Sequence, residues 1–157
     1  MFDAPCLSGP LQLEEEWIDY NGHLNMAYYN VLFDRGLEQV WEKLGFDYTY
    51  RRETGCTTFS AEFHVCYLRE IHLGDTVRVS THLLDYTEKS FHFYQELIHQ
   101  SGWVSATAEG VSLHIDQSGP LVTNLPDEIL ANFKVLHRAH QHLPRPERVG
   151  RVMSLRG

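Results

Sequence analysis

The pattern of apolar and polar positions divides this 157-residue chain into one broad helix, a run of strands and a second helix. From Met26 onward the apolar positions are Met26, Tyr29, Phe33, Leu37, Val40, Trp41 and Leu44. Steps of three and four mark one wide helical face. Asn25 precedes this run as an N-cap and Gly45 follows it as a C-cap. A helix over Met26–Leu44 follows, and its breadth implies burial against a sheet. Ahead of it, Leu11 and Leu13 alternate with Gln12 and Glu14, which predicts a first strand over residues 11–17. Residues 46–55 are polar and irregular, carry Arg51 and Arg52, and read as a loop.

Strands come next. Phe59, Ala61, Phe63, Val65 and Tyr67 alternate with Glu62, His64, Cys66 and Leu68. Gly74-Asp75 marks a turn, and Val77, Val79, Thr81 and Leu83 form the following strand. Phe91, Phe93, Gln95 and Leu97 begin another, closed by Ser101-Gly102. Residues 103–116 read as a long last strand with a bend expected at Gly110. Beyond Gln117-Ser118-Gly119-Pro120, Pro126 opens a second helix over Asp127–His140. A long helix followed by consecutive hairpin strands implies an α+β domain, an antiparallel sheet layered on the helix. The whole chain, 1–157, reads as one domain whose Pro- and Arg-rich tail begins at about 143.

Composition narrows the class. Hydrophobic residues make up 43% of the chain and charged residues 22%, as in a soluble globular protein. No apolar run is long enough to cross a bilayer, and the first residues lack the basic-then-apolar order of a secretory signal. Three cysteines, Cys6, Cys56 and Cys66, with no C-x-x-C pair suit reduced thiols in the cytoplasm. The formal net charge of −8 argues against a nucleic-acid partner, which needs clustered Lys and Arg. It leaves coenzyme A open, because a few local cations suffice for its phosphates.

The chemistry concentrates between Trp17 and Arg35, W-I-D-Y-N-G-H-L-N-M-A-Y-Y-N-V-L-F-D-R. Asp19, Asn21 and His23 alternate there: a base, an amide, and an imidazole that titrates near neutrality. Gly22 lets the backbone turn between them, and Asn25 starts the helix. Three polar side chains thus crowd onto a helix N-terminus, where free N–H groups favour developing negative charge. Taken as residue chemistry alone, the same run also suits an Asx turn ahead of a capped helix.

The flanking residues decide between these. The stretch resembles hot dog-fold acyl thioesterases of the 4-hydroxybenzoyl-CoA thioesterase type, with the signature D-x-D-x-x-G-H-V-N-N-x-x-Y-x-x-x-F-E. Asp19, Gly22, His23, Asn25, Tyr29, Phe33 and Asp34 fall in register, Asp34 replacing Glu. Trp17 takes the place of the first Asp and Met26 that of the second Asn. The D-Y-N-G-H run matches the D-x-N-x-H pattern of plant acyl-carrier-protein thioesterases, in which all three polar residues are implicated in catalysis. Together with Y-L-R-E-I-H-L-G-D and L-P-R-P-E-R-V-G-R, the stretch is similar to thioesterases associated with carnitine breakdown, which hydrolyse betainyl-CoA.

This resemblance implies a hot dog fold, in which an antiparallel sheet wraps around the long helix. It implies hydrolysis of a small acyl-CoA, with no redox cofactor and no metal. Asp19, Asn21 and His23 are the expected catalytic residues, Asp19 activating water or attacking the thioester itself. Trp17, Gly22, Asn25, Tyr28, Tyr29, Gly55, Cys56 and Thr57 are the expected substrate-binding residues. Backbone N–H groups at Gly55–Thr57 or at the helix start would polarise the carbonyl. Trp17, Tyr20, Tyr28 and Tyr29 would face a quaternary ammonium. The partners expected are the acyl-CoA and further copies of the chain, as a dimer or tetramer, with neither membrane nor nucleic acid. A broad short-chain or aromatic acyl-CoA thioesterase, a dehydratase acting on an acyl thioester, and a non-catalytic acyl-CoA-binding protein are the alternatives.

Other chemistry reads as structural. His137, His140 and His142 cluster near the end of the second helix, but no Cys or carboxylate completes a ligand set. Cys56 and Cys66 have no His/Asn constellation around them, and Ser60 lacks the G-x-S-x-G elbow. Glu62 reads as a solvated strand residue.

Overall fold

The computed structural model describes residues 2–155; Met1 and the tail residues Arg156 and Gly157 lie outside the described residues. Helix α1 (Met26–Leu44) forms where its pattern places it. Asn25 Oδ1 accepts the Ala27 N–H at 3.0 Å, and Gly45 ends the helix at φ 107°, in the left-handed region that glycine tolerates. Tyr29, Leu32, Phe33, Leu37, Val40, Trp41 and Leu44 are buried along one side. A wholly buried Phe33 contributes about 1.5–3 kcal/mol by the usual burial scale.

That side faces a single antiparallel sheet made of β1 (Cys6–Leu7), β2 (Leu11–Gln12), β3 (Cys56–Tyr67), β4 (Thr76–Tyr86), β5 (Ser90–His99), β6 (Val104–Asp116) and β7 (Leu121–Val122). The strand order is β1-β4-β5-β6-β3, with β2 also on β4 and β7 on β6. Val77 and Val79, Phe91 and Phe93, and Ala106 and Ala108 present the inner face to α1. At Gly36 the helix comes so close to β4 that an added Cβ would meet the Val79 side chain. The sheet therefore wraps around one long helix, as the resemblance implies. Helix α3 (Asp127–His140) closes one end, with Phe133 stacked on Phe91 at 4.9 Å and Asn132 donating to the Leu44 carbonyl at 3.1 Å.

Four local expectations change. Residues 46–55 are not an open loop: they include helix α2 (Tyr48–Thr54), started by Asp47 Oδ1 accepting the Tyr50 N–H at 2.7 Å and ended by Gly55 at φ 68°. None of its residues is buried, so no apolar stripe reveals it. The first strand is shorter than residues 11–17. Only Leu11–Gln12 pairs, and a 3-10 turn at Glu15–Trp17 then carries Trp17 into the core. Alternation in β3 breaks at Ala61, an extra residue that leaves Ser60 opposite Ser112 and Glu62 opposite Val111. Thr58 and Ser60 thereby share the inner face with Phe63, Val65 and Tyr67, and Phe59 turns outward, 45% exposed. Gly110 is a point of close approach: β6 keeps its register there, and a Cβ would lie 2.6 Å from the Phe93 ring.

The two sheet edges differ. The free edge of β4 is covered by β1 and β2, whereas β3 has an uncovered edge along its exposed residues 59–63. On the outer face the tail crosses the strands. Leu143–Pro146 lie by Ser80, Tyr94 and Glu96, and the Gly150 N–H donates to Glu109 Oε2 at 2.7 Å. Glu109 Oε1 in turn accepts from His92 Nε2 at 2.7 Å.

Candidate active site

The chain reaches α1 through a tight loop. The Asn25 N–H donates to the Trp17 carbonyl at 2.9 Å, Asp19 N–H to His23 at 3.1 Å, and Gly22 N–H to Asp19 at 2.9 Å. Gly22 at φ 82° makes the reversal. Leu24 N–H donates to Ile71 at 2.9 Å, which ties the loop to the segment between β3 and β4. Within the loop, Asp19 Oδ1 accepts the Asn21 N–H at 2.8 Å, the Asx turn anticipated above.

Asp19 and His23 stand together on one wall of a cavity of about 500 Å³, with Asn25, Met26, Tyr67 and Arg69 also lining it. His23 Nδ1 lies 4.0 Å from Asp19 Oδ1, too long for a hydrogen bond but close enough for both groups to reach one substrate atom. The same Nδ1 is 3.3 Å from the Leu24 carbonyl; with Nδ1–H donating there, Nε2 is left as an open acceptor. Both side chains are partly shielded, 16% exposed for Asp19 and 31% for His23. Asn21 is exposed at the loop tip, outside the cavity lining.

At the helix start the Ala27 N–H is taken by Asn25 Oδ1 at 3.0 Å and the Tyr28 N–H by the Asn25 carbonyl at 3.0 Å. The Met26 N–H is left without a protein acceptor among the described residues, on the cavity wall beside Asp19. Tyr67 donates to the Met26 carbonyl at 3.1 Å and meets Tyr29 edge-on at 5.0 Å. Burial raises both phenols above their ordinary pKa, which keeps them neutral donors.

The aromatic residues named from the sequence do not gather into one cage. Trp17 is buried, with Tyr28 stacked on it at 5.4 Å and the Arg35 guanidinium 4.7 Å from its ring centre. Arg35 is itself held by Glu14 at 2.8 Å. Tyr20 stands 97% exposed, and Tyr29 is buried.

Gly55, Cys56 and Thr57 lie at the far end of β3. Cys56 and Tyr67 are the two ends of this 12-residue strand, about 35 Å apart at the usual rise. The Gly55 N–H already donates to Arg51 at 3.0 Å and the Cys56 N–H to Thr54 Oγ1 at 3.0 Å. Cys56 and Thr57 line a second cavity of about 380 Å³ between α1, α2 and β3, shared with Asp34, Glu38, Trp41 and Tyr50. A third, of about 370 Å³, lies between α1 and the sheet and also takes Asp34 into its wall. Desolvation pushes the Asp34 carboxyl above its ordinary pKa; Glu38 rises for the same reason, with Asp34 adding like-charge repulsion. The sequence named Asp34 only for register; two acids one turn apart, Asp34 and Glu38, beside the apolar stripe of α1 were the available signal.

The three C-terminal histidines are not gathered as a ligand set. His140 is wholly buried, accepting the Leu83 N–H on Nδ1 at 2.9 Å and donating from Nε2 to the Asp3 carbonyl at 2.9 Å. Among the described residues no group of three or more His, Cys, Asp or Glu is placed to hold a metal ion.

A long helix inside an antiparallel sheet, with a carboxylate and an imidazole at the helix entrance, defines a hot dog thioesterase. The chain belongs to the thioesterase-like superfamily, whose family model matches residues 14–133. It is 37% identical over 141 residues to the betainyl-CoA thioesterase of Pseudomonas aeruginosa, a match that covers 89% of each protein. It is 34% identical over 151 residues to the L-carnitine dehydrogenase/betainyl-CoA thioesterase of Rhizobium meliloti, covering 92% of this chain and 30% of that longer one. A hypothetical protein from Staphylococcus aureus, solved in complex with CoA, shares the fold at a TM-score of 0.91 and 24% identity, over 99% of this chain and 98% of that one.

Proposed function

We propose that this chain hydrolyses betainyl-CoA to betaine and CoA, with Asp19 as the general base. The observation that carries the reading is the pair Asp19 and His23 beside the free Met26 N–H, in a chain 37% identical to a betainyl-CoA thioesterase. Water bound between Asp19 and His23 loses a proton to the Asp19 carboxylate as its oxygen attacks the thioester carbon. The carbonyl oxygen becomes an oxyanion, held by the Met26 N–H at the positive end of α1. Collapse breaks the C–S bond, and the thiolate of CoA takes the proton back from Asp19. His23 orients the water through Nε2, and Asn21 holds the carboxylate through its backbone N–H. The Asp19 carboxylate both takes and returns the proton, so the reaction draws on no cofactor.

The active unit is a dimer. A twelve-residue edge strand with exposed Phe59 and Phe63 invites pairing with another strand. Two copies related by a two-fold axis near Ala61 pair antiparallel, which sets the partner's Gly55, the partner's Cys56 and the partner's Thr57 beside Tyr67, Cys66 and Val65. Residues far apart in one chain then meet across the edge. Among the described residues no helix is long and apolar enough to cross a membrane. A cytoplasmic site fits the three free cysteines.

The test is a panel of acyl-CoA substrates followed by release of free thiol, with betainyl-CoA expected to lead. Preference for straight short-chain or aromatic acyl groups would move the reading to a broad thioesterase. Absence of thiol release with every substrate would leave a binding protein.

A further inference from the structure

We propose that Asp34 selects the acyl group, accepting a quaternary ammonium in the cavity between α1 and the sheet. The proposal rests on the thioesterase reading and names a contact which that reading leaves open. The cavity walls are Val31, Leu37, Phe63 and Phe93, with Asp34 as the charged group and Asn30, Ser60 and Gln95 as neutral polar residues. No Lys, Arg or His lines it. Asp34 has no ion pair or hydrogen bond among the described residues, although it stands on a helix where such pairs form readily. Arg35 is turned away to Glu14 and Trp17, and one turn on stands Glu38, a like charge.

Gln95 backs this wall. It is wholly buried, and its Nε2 donates to the Phe33 carbonyl at 3.1 Å and to Thr81 Oγ1 at 3.3 Å. Its Oε1 has neither a partner nor accessible surface, so it acts on the cavity through its dipole and not by contact. A buried amide oxygen without a donor is rare and costly, and its partial charge makes the potential around it more negative. The Asp34 carboxylate, open to solvent on one side, thus stands over a space walled mostly by carbon. A hydrated metal ion or a primary ammonium would have to shed tightly held water there. A trimethylammonium presents carbon to the walls and spreads its charge over polarised C–H groups, so it enters with little desolvation.

The position suits the dimer. Asp34 also lines the neighbouring cavity that holds Cys56, Thr57 and Thr58, the segment that edge pairing lays beside the other copy's Tyr67. The acyl group of a thioester attacked by Asp19 of one copy is therefore presented to Asp34 of the other.

The experiment compares kcat/KM for betainyl-CoA and for its uncharged isostere tert-butylacetyl-CoA, in the wild type and in Asp34→Asn. The variant keeps size and removes charge. The expected result is that the betainyl to tert-butylacetyl ratio falls at least about tenfold, as follows when the ammonium loses a charge partner that binding takes out of water. Tetramethylammonium should also inhibit wild-type hydrolysis of tert-butylacetyl-CoA competitively, and Asp34→Asn more weakly. An unchanged ratio, whether both rates fall or neither does, overturns the role of Asp34 and leaves thioesterase activity standing. A wild type that releases thiol from neither substrate overturns the functional reading itself, and the assignment of Asp34 with it.

Discussion

Gly36 sets how closely α1 lies on the sheet, and Gly36→Ala tests that closeness directly. In a free helix this change stabilises, by about 1 kcal/mol from propensity. Here the new methyl would meet Val79 Cβ and stand 2.6 and 2.8 Å from its two Cγ atoms. Carbon atoms pack at about 3.5–4.0 Å, so helix and strand must part by roughly 1 Å. Such overpacking costs about 1–3 kcal/mol, more where both sides are backbone-anchored, as they are here. The overlap outweighs propensity, and a net loss of about 2 kcal/mol is expected. For a chain of this length that is a drop in Tm of about 4–8 °C. Denaturant melts of Gly36→Ala, Val79→Ala and the double variant measure it. Trimming Val79 makes room for the methyl, so the double variant should be more stable than the sum of the singles predicts. A Gly36→Ala protein as stable as wild type, or strictly additive effects, would refute the steric argument.

Three further outcomes follow from the site and the fold. Asp19→Asn should fold normally and lose at least about a hundredfold in kcat, the usual scale of a proton-transfer group; near-normal thiol release would end the assignment of Asp19 as the base. Light scattering at micromolar protein should give twice the 18.2 kDa chain mass, and an active monomer would remove the edge-paired site. Stability should also fall in acid through His140, whose pKa is held below the ordinary histidine value by burial first. Unfolded histidine binds a proton near pH 6.5 while the folded one resists, so this contribution is complete above about pH 6.5 and is lost as pH falls towards the folded pKa. The drop in Tm from about pH 7.5 to about pH 5 should be smaller in His140→Gln; an identical drop would count against it.

The helices α1 and α3 were legible because each has a wide apolar stripe and, for α1, a cap at both ends. Helix α2 was not, since its seven residues bury nothing and depend on Asp47 and Gly55 for their ends. The loop from Trp17 to Asn25 was legible as a tight polar turn into a capped helix, because Gly22 and Asn25 stand where the reversal and the cap need them. Its free donor was not, because only the hydrogen-bond accounting at Asn25 singles out Met26 N–H. The dispersal of Trp17, Tyr20, Tyr28 and Tyr29 had no signal in a linear string, because side chains one or eight positions apart diverge once the loop folds. Gly55–Thr57 sit far from Asp19 in one chain, and a sequence carries no statement of which strand edge is open.

Ala61 divides β3 into two reading frames. On one side of it the odd residues Phe63, Val65 and Tyr67 face α1; on the other the even residues Thr58 and Ser60 do. Were Ala61 drawn into the ladder as an ordinary residue, plain alternation from Phe63 would turn Ala61 and Phe59 inward and Ser60 outward. The extra residue is therefore what puts a hydroxyl rather than a phenyl ring on that part of the wall. Deleting Ala61 would leave Ser60 opposite Ser112 and Glu62 opposite Val111, so the lining would survive while the local bend and twist of the strand relaxed. The bulge thus fixes the lining by count, and a strand built this way tolerates loss of its extra residue better than its absorption into the ladder.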